Sequence, residues 1–325
     1  MEVFVLTVNQ MLVIFIFMLI GYLLRKKNVV EANAYANLSK MEMFIFMPAL
    51  SLSTQMTQCT VENLKENSIL IIYGGITIIS AVIIAGFLSK LFVPNYKENR
   101  DADYQRNVYR YAIAFANYGF IGNFLILSVF GTEILFKYQM FNMVLNLFTY
   151  GWGMYVLIPK DRNAGIGKNI LKGLTSPPML SIYLGMTLGL LGVGDKILQV
   201  KFVNTVLNNA SNCMGPVAML LAGMVLGNYS LKELFKEKKV YIVSALRLII
   251  IPAVFVIVHK LLGSDPIVIT ITLVAFAAPL GLNTIVYPAA YGGDTKTGAA
   301  MTLISSLFGV ITLPLMYYLF VQLWA

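Results

Sequence analysis

The feature that most constrains this chain is a series of long apolar stretches, separated by short polar links, that recurs along its whole length. A helix that crosses a bilayer needs about 20 mostly apolar residues, and its backbone groups must bond among themselves because lipid offers no partners. Ten stretches fit, at about 8–24, 38–56, 68–92, 108–130, 137–158, 174–193, 203–226, 240–262, 266–290 and 297–323. They predict an all-α protein of ten transmembrane helices with the lipid bilayer as its solvent. The longest polar links, 94–107 and 159–173, are too short to be separate domains. Composition agrees: 12% of the 325 residues are charged, against about 25% in soluble domains. Such a chain cannot cover a water-facing surface. A soluble enzyme, a disordered chain and a nucleic-acid partner are excluded, despite a net charge of +9. The N-terminus ahead of the first stretch carries Glu2 and no basic leader, and no small-residue cleavage site follows the stretch, so it is expected to be retained rather than removed.

The basic residues suggest an orientation. Links following odd-numbered helices hold 18 of the 24 Lys and Arg, including Arg25–Lys27, Lys97–Arg110, Lys160–Lys172 and Lys232–Lys239. Links following even-numbered helices hold five, and Arg247 lies within a helix. The positive-inside bias then places the odd links in the cytoplasm, as in a bacterial-type cytoplasmic membrane, and both termini outside.

Ten helices divide into five and five, and an odd number per half would invert the second half relative to the first. Two internal likenesses favour that division. AFANYGFIGNFLILSVFG at 114–131 and AFAAPLGLNTIVYPAAYG at 275–292 share Ala-Phe-Ala and a closing Gly, on the fourth helix of each half. FIFMPALSL at 44–52 and CMGPVAMLL at 213–221 each place a Pro within the second helix of its half. Inverted repeats recur among secondary transporters. The expected units are 1–158 and 174–325.

The fourth and ninth helices are chemically unsuited to run unbroken. Asn117, Gly119, Gly122 and Asn123 interrupt one, and Pro279, Gly281, Asn283 and Thr284 interrupt the other. Pro removes a donor and Gly loosens the helix, so backbone polar groups open at mid-membrane. These are tolerated only within protein or beside water. Two half-helix N-termini converging there, with free N–H groups, would bind an anion without a charged side chain. Kinks made for packing alone are the competing reading. On the fifth helix Gln139, Asn142, Asn146, Thr149 and Gly153 share one face, and on the tenth Thr302, Ser305, Ser306, Gly309 and Thr312 do. These faces are expected to line or support the breaks, although hydrogen bonding between helices also accounts for Ser and Thr.

Other residues have two readings each. Arg247 lies about seven residues, roughly 10 Å, from the cytoplasmic end of its helix. It either snorkels or packs between domains, or serves substrate or ion coupling. Glu42 reads as half of an interfacial salt bridge or as a proton-coupling group. His259 is expected at the outer surface, and Cys59 and Cys213 as inert packing. Gly185/Gly189 and Gly223/Gly227 permit close helix approach, in a dimer or within one subunit. Enzyme motifs fail: there is no H-E-x-x-H, one His cannot build a zinc site, no phosphate loop exists, and Tyr291-Gly292-Gly293-Asp294 falls short of an aspartyl protease motif. No cofactor or metal is expected.

GYLLRKKNVV (21–30), LSKMEMFIFMPAL (38–50), NYGFIG (117–122), AAPLGLNTIVYPAAYGGD (277–294) and TLPL (312–315) together resemble the auxin efflux carrier family, the PIN-like permeases, over nearly the whole chain. The resemblance implies two inverted five-helix repeats with crossed, broken helices 4 and 9. It further implies a homodimer, with scaffold helices 1, 2, 6 and 7 and a moving transport domain of helices 3–5 and 8–10, working as an elevator. By position, Asn117 would meet a substrate carboxylate, and Pro279, Gly281 and Asn283 would shape the second break. Where that family often has Pro, this chain has Phe124, preceded by Asn123. The function implied is secondary transport of a small organic anion such as malonate, malate or an auxin-like acid, with proton or sodium coupling unread. Alternatives are a sodium-coupled bile-acid-type symporter and a transporter-like ligand sensor. The lack of Asp or Glu at either break argues against strong sodium sites.

Overall fold

The computed structural model describes residues 2–157, 171, 174–291 and 293–323. The basic residues Lys160, Arg162, Lys168 and Lys172 lie outside the described residues. The first helix, α1 (Glu2–Lys26), precedes α2 (Ala34–Met41), which continues through a π-helical turn at Glu42–Phe46 into α3 (Met47–Gln58). Pro48 sits in the first turn of α3, where its missing N–H costs little. The short α4 (Val61–Asn67), capped by the Thr60 side chain, leads to α5 (Ile69–Phe92). Next come α6 (Arg100–Ala114), capped by Asn99, a π-helical turn at Tyr118–Gly122, and α7 (Asn123–Phe141). Gly131 within α7 has φ +81°, a left-handed value that an L side chain resists, and the chain bends there. After α8 (Met143–Leu147), a π-helical stretch at Phe148–Gly153 and α9 (Met154–Leu157), the description resumes at α10 (Pro177–Leu190), α11 (Gly194–Gln199) and α12 (Lys201–Gly227). The last part comprises α13 (Leu231–Phe235), α14 (Lys238–Ala245), a π-helical turn at Leu246–Ile250, α15 (Ile251–Leu261), α16 (Pro266–Ala277), α17 (Asn283–Tyr291) and α18 (Lys296–Tyr317).

Among the described residues, six helical stretches are long and apolar enough to cross a membrane, which makes this a multi-pass integral membrane protein. Their outward faces are those of a chain dissolved in lipid. Along α5, Ile72, Ile76, Ile79, Ile83, Phe87 and Leu91 recur at helical spacing and are all exposed. The opposite face, Gly74, Ile78, Ala81 and Ala85, is buried.

The ninth stretch, expected to be interrupted, is indeed two helices, α16 and α17, separated by five irregular residues. Several other expectations from the sequence are corrected. The fourth stretch begins at Arg100 rather than near 108, because Asn99 caps it earlier than the apolar run starts. The fifth does not run evenly over 137–158: Asn142 (φ −80°, ψ 0°) and a π-helical stretch interrupt it. Cys59 is buried, but Cys213 is exposed. The glycine pairs act within the chain. Gly185 and Gly189 lie against the backbone of α3 and its end, and Gly223 and Gly227 lie against α1.

Candidate functional site

Both breaks begin after Ala-Phe-Ala or within it, and for local reasons. In α6 the helix stops at Ala114, and Phe115 is extended (φ −120°, ψ 130°). In α16 the helix stops at Ala277. Ala278 (φ −58°, ψ 148°) leaves the helical region as the residue before a proline must. The two irregular segments meet. Ala116 and Leu280 pair as an antiparallel bridge, and the Asn117 N–H donates to the Pro279 carbonyl at 2.7 Å. A Cβ on Gly281 would stand 3.3 Å from the Ala116 oxygen, so the approach favours glycine there.

These bonds alter the expected pair of free helix N-termini. The Asn117 N–H is used by Pro279, and the Leu280 N–H donates to Ser305 Oγ at 2.9 Å. Thr284 does not face outward either, since its hydroxyl donates to the Gly281 carbonyl at 2.9 Å. Asn283 Nδ2 donates to the Tyr111 hydroxyl at 2.9 Å. The Gly281 N–H faces the Phe115 carbonyl as the other rung of the Ala116–Leu280 bridge, and the Leu282 N–H makes no hydrogen bond among the described residues. Behind this break, Gly309 of α18 receives the Pro279 ring. The tenth-helix stripe therefore supports the second break through Ser305 and Gly309. Thr302 and Ser306 hydroxyls are buried there without partners.

Beside the first break lies a cavity of about 20 Å³, room for roughly one water. Gly119 and Asn123 contribute from the break and Gln139, Asn142 and Asn146 from the fifth-helix stripe. Met47, Ser51, Pro178 and Ile182 form the wall from α3 and α10. No charged side chain lines it. Gln55 Nε2 donates to Gln139 Oε1 at 3.0 Å, which leaves Gln139 Nε2 buried without an acceptor. Both polar atoms of Asn142 are buried, and neither makes a hydrogen bond of normal geometry among the described residues. The Tyr138 hydroxyl lies beside Asn142 but donates to the Tyr118 carbonyl at 3.0 Å. The Tyr118 hydroxyl is 2.9 Å from Asn146 Oδ1 and 2.8 Å from Thr149 Oγ1. Unfilled amide donors in an uncharged pocket suit a carboxylate.

Five of the expected residues, Gly119, Asn123, Gln139, Asn142 and Asn146, are thus gathered at one cavity. Asn117, Gly122, Pro279, Gly281, Asn283 and Thr284 are not in its lining and shape the adjoining breaks instead. Gly122 is packed against the Tyr138 hydroxyl. Residues not anticipated from sequence include Tyr118, hidden inside the N-x-G signature, and Gln55. Ser51, Thr54 and Gln55 recur at i, i+3 and i+4, a polar face on the second stretch that could have revealed the opposite wall.

The three charged or titratable candidates differ from their simplest readings. Arg247 does not snorkel: it is 0% exposed, and none of its three nitrogens has a hydrogen-bond partner among the described residues. Glu42 is equally buried and makes no ion pair among the described residues. Its carboxylate lies beside the Ala218 N–H without a hydrogen bond of normal geometry. His259 is buried rather than superficial, with ring nitrogens 3.4 Å from Thr77 Oγ1 and 3.2 Å from Ser264 Oγ.

No curated protein matches the chain. A family model described as a membrane transport protein matches residues 6–317, which includes both breaks and every residue of the cavity. The chain belongs to that membrane transport protein family, the family of the auxin efflux carriers.

Proposed function

We propose that this protein is a secondary carrier for a small organic anion, a mono- or dicarboxylate or an auxin-like aromatic acid. The observation that carries this reading is the uncharged cavity beside the first break, with Asn142 and Gln139 offering buried, unsatisfied amide donors. A carboxylate accepts such donors strongly, and the Leu282 N–H adds a backbone donor at the second break. At about 20 Å³ the cavity must widen to admit an acid. Its walls come from different groups of helices, so separating α3 and α10 from the breaks would open it.

The larger plan follows the family. We take the chain to form ten spans in two inverted five-helix repeats, 1–158 and 174–325, with both termini outside. Scaffold helices 1, 2, 6 and 7 would form a homodimer, and helices 3–5 and 8–10 would move as an elevator. The packing of α1 on α12 and of α3 on α10 and α12 supports such a scaffold.

Flux of radiolabelled malonate, malate and indole-3-acetate into proteoliposomes tests the proposal. Saturable uptake of at least one acid, lost on Asn142→Leu, is expected. Saturable binding without flux under every imposed proton or sodium gradient would instead identify a sensor.

A further inference from the structure

Among the described residues Arg247 is the only Lys or Arg that is fully buried. It sits on the π-helical turn between α14 and α15, packed against α16 and α18. Its Nε, Nη1 and Nη2 have no hydrogen-bond partner among the described residues. The guanidinium lies 4.9 Å from the Phe276 ring centre, and the Tyr138 hydroxyl is close enough to interact with it electrostatically. The ion pairs Asp103–Arg106, Glu133–Lys137 and Glu237–Lys296 do not involve it. The one buried acid among the described residues, Glu42, packs against α12.

The position ties this cation to both breaks. Phe276 lies in the last turn of α16, three residues before Pro279. Tyr138 donates to the Tyr118 carbonyl of the first break and stands beside Asn142 of the cavity. Arg247 is therefore one side chain behind the cavity wall. An unpaired cation in a water-free interior is strongly unfavourable, and one aromatic face relieves it only in part. At low dielectric its field reaches across a single side chain, so an anion in the cavity would relieve it further.

We infer that Arg247 is the fixed countercharge of the carrier, a positioning residue that acts through Tyr138 and selects a monovalent organic anion for the cavity. One bound negative charge balances the one fully buried cation, whereas a dianion leaves an excess negative charge buried. The inference rests on the carrier reading and names the charge class of its substrate.

The test compares full-length wild type, Arg247→Met and Arg247→Lys by thermal unfolding, without ligand and with indole-3-acetate (a monoanion) or malonate (a dianion at neutral pH). Without ligand, Arg247→Met is expected to unfold at the same or a higher temperature, because it removes an uncompensated charge at similar volume. Its affinity for indole-3-acetate is expected to fall about tenfold or more, with Arg247→Lys staying within about threefold of wild type. A lower unfolding temperature in ligand-free Arg247→Met, with unchanged affinity, would make the guanidinium merely structural and overturn the inference. Malonate binding wild type as tightly as indole-3-acetate would overturn the charge selection while leaving the carrier reading intact. Binding of neither acid by wild type would sink the carboxylate reading and the selectivity with it. The ligand-free comparison would still decide whether Arg247 is an unrelieved charge.

Discussion

Asn142 shows how a single residue separates binding from stability. Its amide is 2% exposed, with neither polar atom in a hydrogen bond of normal geometry among the described residues. An unsatisfied buried amide weakens the fold by about 1–3 kcal/mol, so removing it should not. Asn142→Leu is expected to unfold at an equal or higher temperature in differential scanning fluorimetry, while carboxylate flux falls about tenfold or more. A large drop in unfolding temperature would show that the amide is a packing element. Ser305 is the opposite case. Its hydroxyl is the acceptor for the buried Leu280 N–H, and Ser305→Ala would orphan that donor. The expected cost is about 1–3 kcal/mol, measurable as a lowered denaturation midpoint.

At the scale of elements, the breaks depend on close approach as much as on proline. Gly122 faces the Tyr138 hydroxyl so closely that any Cβ would overlap it. Gly122→Ala should destabilise by about 1–3 kcal/mol, and Tyr138→Phe should restore part of that by removing the obstructing oxygen. The double mutant is then less damaged than the two single effects summed, a non-additivity that a double-mutant cycle of unfolding free energies reads directly. Additive effects would mean that the turn relaxes independently of Tyr138. The breaks themselves were legible in the sequence, because Pro279 and the residue before it obey local backbone rules. Their hydrogen bonding was not. Asn117 donates to Pro279 across more than 150 residues of chain, and no local pattern reports such a partner.

Across the whole molecule, a tie joins the end of α12 to the link before α18, where the Tyr229 and Thr295 hydroxyls bond. In the proposed elevator these belong to the scaffold and to the moving domain. Tyr229→Phe removes one hydrogen bond, worth about 0.5–1.5 kcal/mol. Turnover in proteoliposomes should rise roughly two- to tenfold if breaking this tie limits the rate. An unchanged rate would place the limiting step elsewhere. The Glu42 ion pair expected from the sequence shows why whole-molecule contacts are hard to read. Basic residues lie nearby along the chain, but the π-helical turn aims Glu42 at α12.

The sequence by itself determined the solvent, the class and the positions of the breaks. Apolar run length, the lost donor of Pro279 and the loosening by Gly119, Gly122 and Gly281 act within a few residues, and any fold must accommodate them. It also marked the amide face of Gln139, Asn142 and Asn146, since helical spacing alone aligns those side chains. Only the tertiary structure decided which backbone donors stay free, that Met47, Ser51, Pro178 and Ile182 close the cavity, and that Arg247 is buried without an acid. Those outcomes depend on which distant segment arrives opposite each group, and in lipid an unmet polar group or charge has no water to fall back on.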